Sequence, residues 1–179
     1  MVLGEGACTL ILENWDHAVA RGAPISAEII GFATNCDGTH LVRPNQKTMA
    51  QVIQQGLADA NLEAEQIGYI SGHGTATVHG DIAETQATAE VLGANIPFSS
   101  IKGYIGHSLG ACGAIEAWLS IAMMNEDWFA PTLNLERLDD RCAELDYITS
   151  QPRPCSTEFI ISNNFAFGGV NTSLVIRRI

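Results

Sequence analysis

The sequence predicts an α/β fold in which helices flank a layered, mostly parallel sheet that closes with an antiparallel hairpin. Two observations predict it. Apolar runs typical of strands alternate along the chain with runs of helical periodicity, and a loop containing Gly-Gly separates the last two strand-like runs. We expect residues 1–179 to form a single domain, because no linker, internal repeat or low-complexity segment divides them.

The first third of the chain alternates between the two patterns. The run ACTLILEN, residues 7–14, is β-rich and predicts a strand, and HAVARGA after it predicts a short helix that ends at Gly22. A second strand is predicted over 25–35, followed by a loop with Asp-Gly and Pro. From Met49 onward, apolar residues recur at helical spacing, which predicts an amphipathic helix.

The remaining elements continue the alternation. IGYISG, residues 67–72, predicts a short buried strand, and a helix is predicted over about 80–92, ending at Gly93. IPFSS predicts another short strand. EFIISNN and NTSLVIRR predict the two strands of the closing hairpin, joined by FAFGGV.

Composition excludes several classes of function. The formal charge is −11, from 20 acidic and 9 basic residues, which disfavours a nucleic-acid surface because phosphate binding needs clustered Lys and Arg. No segment reaches the ~18 consecutive apolar residues that a membrane span needs, and the start lacks the basic region of a signal peptide. We therefore expect a cytoplasmic protein.

The cysteines are scattered and form no CxxC pair, and no histidine is spaced from them as in zinc sites. We expect no metal site and interpret them as small, mostly buried side chains in a reducing compartment. They are Cys8, Cys36, Cys112, Cys142 and Cys155.

Three Gly-rich loops, over 71–77, 101–113 and 163–171, each lie beside a predicted strand and carry hydrogen-bond donors. In sheets of this kind, the chemistry gathers at the loops that follow the carboxyl ends of the strands. These three loops are therefore the candidate site.

The second loop contains Lys102 and His107, and the apolar helix predicted after it contains a single charge, Glu116. Because this helix is apolar all round, we expect it to be buried, and a buried carboxylate needs a cation. Two interpretations stay open. Lys102 and Glu116 form a purely structural ion pair, or they position His107.

A second histidine, His73, stands in the first loop, where Thr75 and Thr77 add hydroxyl groups. A helix N-terminus close to His107 disfavours its charged form. Two neutral imidazoles directed at one oxygen would stabilise an enolate or oxyanion, since preorganised donors act where negative charge develops.

The motifs GHGTAT with GDIAE, KGYIGHSLGACGAIEA and NNFAFGGVN occur in this order, and together they resemble the carboxy-terminal half of the β-ketoacyl-acyl carrier protein synthases. The resemblance extends from GEGACTLILE to TSLVIRR, which is nearly the whole chain. It implies a thiolase-like fold and a decarboxylative Claisen condensation. In that reaction an acyl group is carried on a cysteine, malonyl-acyl carrier protein loses CO2, and the resulting carbanion attacks the acyl thioester.

The resemblance also implies roles for particular residues. His73 and His107 correspond to the pair that binds the malonyl thioester carbonyl and stabilises the enolate. Lys102 corresponds to the lysine that organises the histidines, with Glu116 as its charge partner. Phe167 corresponds to the aromatic residue that gates the acyl pocket, and its backbone N–H to an oxyanion-hole donor.

Substrate binding is assigned by the same resemblance. Thr75 and Thr77 match the threonines that hydrogen-bond the phosphopantetheine arm, and Phe165 is placed with them. The resemblance implies an acyl carrier protein as partner, a dimer for the full-length protein, and no cofactor beyond the arm that the carrier brings. Because carrier proteins are acidic, we expect a basic patch, for which Arg21, Arg43 and Lys47 are candidates.

The chain departs from the family in lacking the nucleophile. The family's cysteine lies in an Ala-Cys-Ser type turn in the amino-terminal half, and no cysteine here has that context. Cys112 is nearest to the site in sequence, at a position where the family usually has a small residue. We expect the chain alone to be inactive and a preceding segment to supply the nucleophile; a fragment, a truncated gene product and a subdomain are equally compatible with this.

Other functions were weighed. The motifs favour fatty acid synthesis, while a ketosynthase or a chain-length-factor-like subunit of a polyketide or aryl-polyene pathway, and a non-catalytic fragment, stay open. A thiolase would carry a second cysteine in its last loop, which NNFAFGGVN lacks. A phosphate-binding module is disfavoured because GHSLGACG matches neither G-x-G-x-x-G nor a P-loop. Three donor-bearing loops disfavour a purely structural protein.

Overall fold

The computed structural model describes the whole chain, residues 1–179, as a mixed sheet with helices on both faces. The helices are α1 (Trp15–Ala20), α2 (Gln46–Ala60), α3 (Val78–Leu92), α4 (Lys102–Ile105) and α5 (Cys112–Asn125). The strands are β1 (Glu28–Cys36), β2 (Ile67–Ser71), β3 (Pro97–Ser99), β4 (Trp128–Phe129), β5 (Asp146–Tyr147), β6 (Arg153–Pro154), β7 (Phe159–Phe165) and β8 (Val170–Arg177). No helix is both long and apolar enough to cross a membrane.

Six strands form the main sheet in the order β1-β8-β7-β2-β3-β5. The pairs β7/β2, β2/β3 and β3/β5 are parallel, whereas β8 is antiparallel to both β1 and β7. Every strand of this sheet except β8 therefore runs in the same direction, while β4 and β6 form a separate antiparallel pair. The mostly parallel sheet and the closing hairpin, β7 and β8, are confirmed.

Successive residues of β7 point to opposite faces of the sheet and so belong to different cores. Ile161 joins the core that α2 and α3 cover, and Ile160 joins the core beneath α5. Tyr69 and Phe129, both fully buried, are the largest side chains of the second core. The sheet is thus sandwiched between two helical layers, and its loops remain free to form a site.

The ends of α2 follow from local chemistry. Asn45 has extended backbone dihedrals, and its Oδ1 accepts from the Lys47 N–H, which satisfies one of the unpaired donors of the first turn. At the other end, Asn61 adopts the left-handed conformation that terminates helices. The helix therefore begins slightly before Met49, the residue at which the apolar periodicity begins.

One predicted strand is wrong. Residues 7–14 form no strand, and Ile11 and Leu12 are 82% and 72% exposed. A β-rich run becomes a strand only where a neighbouring backbone can pair with it, and no strand of the chain lies beside this run. The first segment instead makes a single bridge, between Leu3 and His107.

The helix α5, which the sequence predicts to be buried, is buried on one face only. One face packs on β7 and β2, but Trp118 on the opposite face is 52% exposed. An apolar helix is fully buried only if material lies on both sides, and here the sheet lies on one. The two-residue strands β4, β5 and β6 were not predicted, since so short a run carries no periodicity.

The aromatic stack beneath α5 generates a stability prediction. The rings of Tyr69 and Phe129 lie 3.7 Å apart between centroids at an interplanar angle of 10°. Phe129→Ala should lower the free energy of unfolding by about 3–5 kcal/mol, because it removes contacts and leaves a cavity. Trp128→Ala, at the half-exposed neighbour on β4, is the matched control and should cost much less. Urea denaturation measures both; equal losses would contradict this account of the core.

Candidate active site

The site forms where three neighbouring strands end. β7, β2 and β3 are adjacent and parallel, so the loops after their carboxyl ends meet at one edge of the sheet. His73 follows β2, Lys102 and His107 follow β3, and Phe165 ends β7. The topology therefore brings together residues from the three loops that the sequence singles out.

The rings of His73 and His107 are neighbours and are nearly perpendicular to each other. Their centroids are 5.3 Å apart and their planes meet at 86°. Both residues are buried, with exposed fractions of 6% for His73 and 8% for His107. A small oxygen-bearing group placed between them could contact both rings.

Hydrogen bonds to the rings assign the same tautomer to both. Lys102 Nζ lies 3.2 Å from His73 Nδ1, and because an ammonium only donates, Nδ1 is the acceptor. The backbone N–H of Leu109 donates to His107 Nδ1 over 3.3 Å. In each neutral ring the proton therefore resides on Nε2, so both histidines present an Nε2–H donor.

Both imidazoles are held in the neutral form. Burial, the charge of Lys102 and the neighbouring His107 together lower the pKa of His73 to about 3. Burial, and then the charge of Lys102, lower the pKa of His107. Burial and a nearby cation thus keep both imidazoles neutral. For His107, the sequence had suggested a helix N-terminus as the cause.

Lys102 and Glu116 form a buried ion pair. Lys102 Nζ also donates to the backbone carbonyl of His73, so its three protons are directed at Glu116, that carbonyl and the His73 ring. The second carboxylate oxygen of Glu116 accepts from Asn164 Nδ2 at 3.1 Å. Burial raises the pKa of Glu116, and Lys102 and Asn164 counteract this. The pair is both structural and in direct contact with a histidine.

Sequence reasoning missed Glu84, a nearly fully buried carboxylate on α3. Its Oε1 accepts from the His73 N–H at 2.5 Å, and its Oε2 accepts from the Gly74 N–H at 2.8 Å. Glu84 therefore anchors the backbone of the first loop to α3. Burial raises its pKa to about 7. The available signal was the motif GDIAE, in which Glu84 and Asp81 stand three residues apart on one helix face.

The remaining predicted residues surround the pair. The hydroxyl oxygens of Thr75 and Thr77 are 3.0 Å apart at the start of α3. Phe165 is buried and meets the His73 ring edge-on, at 6.2 Å between centroids. Phe167 stands beyond it on the hairpin loop and is 57% exposed. All eight predicted site residues thus lie in or around one region.

Two cavities meet at His107. One of about 740 Å³ is lined by His73, Cys112, Phe165 and Phe167 among others, and His107 also borders it. The other, of about 730 Å³, extends past His107 and Thr75 toward the segment around Leu133. Both are large enough for a small acyl group or an extended arm.

Cys112 and the possibility of a metal ion need separate treatment. Ligand atoms of His73, Cys112 and Glu116 lie within 4.8 Å of one another, but the Lys102 ammonium already contacts two of these residues and would repel a metal cation. Burial raises the pKa of the Cys112 thiol, and its Sγ donates to Asn164 Oδ1 at 3.2 Å. A thiol held protonated is a poor nucleophile.

Comparison with known proteins identifies the family. The family model for the C-terminal domain of beta-ketoacyl synthases matches residues 26–136, more than half of the chain. The chain belongs to this family. A curated relative, 3-oxoacyl-[acyl-carrier-protein] synthase 2 of Synechocystis, is 40% identical over 99% of this chain but only 44% of its own length. This β-ketoacyl synthase domain therefore spans less than half of the relative that it matches.

Solved structures agree with the fold. A beta-ketoacyl synthase from Burkholderia phymatum superposes with a TM-score of 0.92 and 54% identity, over 93% of this chain and 41% of that one. A type II PKS ketosynthase, solved in complex with its acyl-carrier protein, superposes with a TM-score of 0.87 and 32% identity, over 93% and 42%. The thiolase-like fold of the β-ketoacyl synthases is thereby shown.

The pKa of His73 generates a pH prediction. The ordinary pKa of histidine is 6.5, so below this pH the unfolded chain binds a proton at His73. The folded chain does not bind this proton until about pH 3. In that window this residue lowers the free energy of unfolding as the pH falls, by up to about 1.4 kcal/mol per pH unit. An NMR titration should show a neutral His73 at pH 5, and Lys102→Met should raise its pKa. A His73 resonance that titrates near pH 6.5 in the parent protein would contradict this.

The buried ion pair generates a second prediction. Lys102→Met leaves Glu116 buried without its cation and should lower the free energy of unfolding by about 3–5 kcal/mol. Arg153→Met, which breaks the half-exposed pair with Asp146, is the matched control and should cost about 0–1 kcal/mol. Chemical denaturation at neutral pH compares the two. Similar losses would show that burial of the pair does not matter.

Proposed function

We propose that this chain is the carboxy-terminal half of a β-ketoacyl-acyl carrier protein synthase that performs a decarboxylative Claisen condensation in fatty acid biosynthesis. The observation that carries the proposal is the pair of neutral imidazoles, 5.3 Å apart between centroids, each with its proton on Nε2. Two such donors match the requirement of an enolate oxygen, which gains negative charge as the reaction proceeds.

The proposed mechanism assigns a step to each group. The malonyl thioester carbonyl accepts hydrogen bonds from His73 and His107. As CO2 departs, the electron pair of the broken C–C bond moves into the enolate, whose oxygen the two Nε2–H groups stabilise. The enolate carbon then attacks the acyl thioester on the cysteine, the new C–C bond forms, and the cysteine thiolate leaves. Throughout these steps, the Lys102 ammonium donates a hydrogen bond to His73 Nδ1.

The nucleophilic cysteine is proposed to come from the part of the synthase that this chain does not span. Cys112 is unsuited to the role because its thiol is buried and its pKa is raised. The chain alone is therefore proposed to be inactive in acyl transfer. The relative from Synechocystis, of which this chain covers 44%, supports a longer functional protein.

The proposed partner is an acyl carrier protein, which brings the thioester on a phosphopantetheine arm; no other cofactor is proposed. The ketosynthase structure solved in complex with its acyl-carrier protein supports this. Arg43 and Lys47 are exposed and unpaired, and the residues on either side of Arg43, Val42 and Pro44, line the first cavity. Arg21 is paired with Glu13 and is the weakest candidate. A cytoplasmic location and a dimer stay predictions.

A polyketide ketosynthase is the second candidate, and the 32% identity to the type II PKS structure favours it. It would use the same site and the same chemistry. A chain-length-factor-like subunit is disfavoured, because both histidines and the Lys102–Glu116 pair are in place.

The proposal is tested in the complete synthase. His107→Ala removes a donor used mainly in the transition state, so decarboxylation of malonyl-acyl carrier protein should fall roughly 10²- to 10³-fold. Acyl transfer to the cysteine should fall less, because the oxyanion hole for that step is proposed to use backbone N–H groups, that of Phe167 included. His17→Ala, at an exposed histidine of α1, is the matched control and should change neither rate. A folded His107→Ala enzyme with the parental decarboxylation rate would refute the assignment.

A further inference from the structure

The backbone of His107 is held on both sides by a segment at the start of the chain. The His107 N–H donates to the Val2 carbonyl at 2.8 Å, and the His107 carbonyl accepts from the Gly4 N–H at 3.1 Å. These bonds form an isolated parallel bridge centred on Leu3. Both main-chain polar groups of the histidine are therefore engaged by one three-residue segment, residues 2–4.

The bridge depends on a close approach of two glycines. A Cβ atom on Gly4 would lie 2.0 Å from the Ile105 carbonyl oxygen, and one on Gly106 would lie 2.8 Å from the Gly4 nitrogen. Non-bonded heavy atoms do not approach so closely, and both obstacles are backbone rather than a side chain that could rotate away. Gly106 also has φ +72°, which disfavours any residue with a Cβ.

The segment contributes little by packing its own side chains. Val2 and Leu3 are 77% and 66% exposed, so little apolar area is buried there. Its contact with the site is made by backbone atoms. A contact of this kind determines where a neighbouring backbone lies more than it stabilises the core.

The backbone it touches carries the catalytic groups. Ile105, which a Gly4 Cβ would displace, ends α4, the helix that starts at Lys102, and the Gly106 N–H donates to the Lys102 carbonyl at 2.9 Å. Leu109, whose N–H orients the His107 ring, lies two residues after His107. A shift at Gly4 would therefore move His107, and Lys102 with it.

We propose that residues 2–4 are a positioning element for His107. Gly4 is required so that this segment can lie against α4 and hold the His107 ring at its position beside His73. The proposal rests on the donor role proposed above for His107. It gives a function to Gly4, the first residue of the run GEGACTLILE, which the catalytic assignment leaves unexplained.

The test compares two substitutions in the complete synthase. Gly4→Ala should lower kcat for malonyl decarboxylation about 10²-fold with KM nearly unchanged, because a displacement of about 1 Å in a catalytic group has an effect of that size. Gly6→Ala is the matched control, since its Cβ would meet only the flexible end of Ile115, at 2.9 Å.

A readout that does not use catalysis separates this proposal from the proposed function. In NMR spectra of this chain, Gly4→Ala should shift the ring resonances of His107 and raise its pKa, because the ring leaves its buried position beside Lys102. Gly6→Ala should leave both unchanged. If the parent protein proves inactive, the donor role fails while these spectra still decide the positioning role.

Two results would overturn the proposal. One is a folded Gly4→Ala protein whose decarboxylation rate and His107 resonances match those of the parent. The other needs no variant, and so holds even if Gly4→Ala does not fold. Amide hydrogen exchange in the parent should find the His107 N–H protected by its bond to Val2, and rapid exchange there would show that the bridge does not persist in solution.

Discussion

A single buried ammonium group organises the site. Lys102 Nζ contacts the Glu116 carboxylate, the carbonyl of His73 and the His73 ring, and these contacts connect the loops after β2 and β3 with α5. Its charge pairs with Glu116, and it also helps to keep both histidines neutral. Because it only donates, it requires His73 to carry its proton on the opposite nitrogen. Lys102 thus sets the tautomer of His73 and contributes, together with burial, to its charge state.

The same site contains a second buried carboxylate, and the two behave differently. Glu116 has a cation and an amide as partners, whereas Glu84 has two backbone N–H groups. Without a cation in direct contact, Glu84 has its pKa raised to about 7 by burial. Ionised Glu84 offers acceptors to both N–H groups, and protonation turns one oxygen into a donor. The loop that carries His73 is therefore held most firmly when Glu84 is charged.

The alternation of strands and helices, and the three loops that meet at the site, could be predicted from sequence, because periodicity and the Gly-rich motifs are local signals. What failed depended on distant neighbours. Residues 7–14 have strand composition but no pairing partner, and Trp118 lies on a helix face that nothing in the chain covers. Glu84 and the Leu3–His107 bridge escaped notice for a related reason. Both are contacts to backbone atoms, and such contacts give only a weak signal in the sequence.

The position of β8 also determines how this sheet can assemble. It lies between β1 and β7, and the ion pair of Glu28 with Arg177 joins residues 149 positions apart. Pairings of such high contact order form late, because a long loop must close before any contact is gained. During synthesis, β1 emerges well before β8 and remains unpaired in this sheet until β8 has left the ribosome. The neighbours of β7 are likewise incomplete until then, so the edge that carries the histidines takes its final form only after β8 has been synthesised.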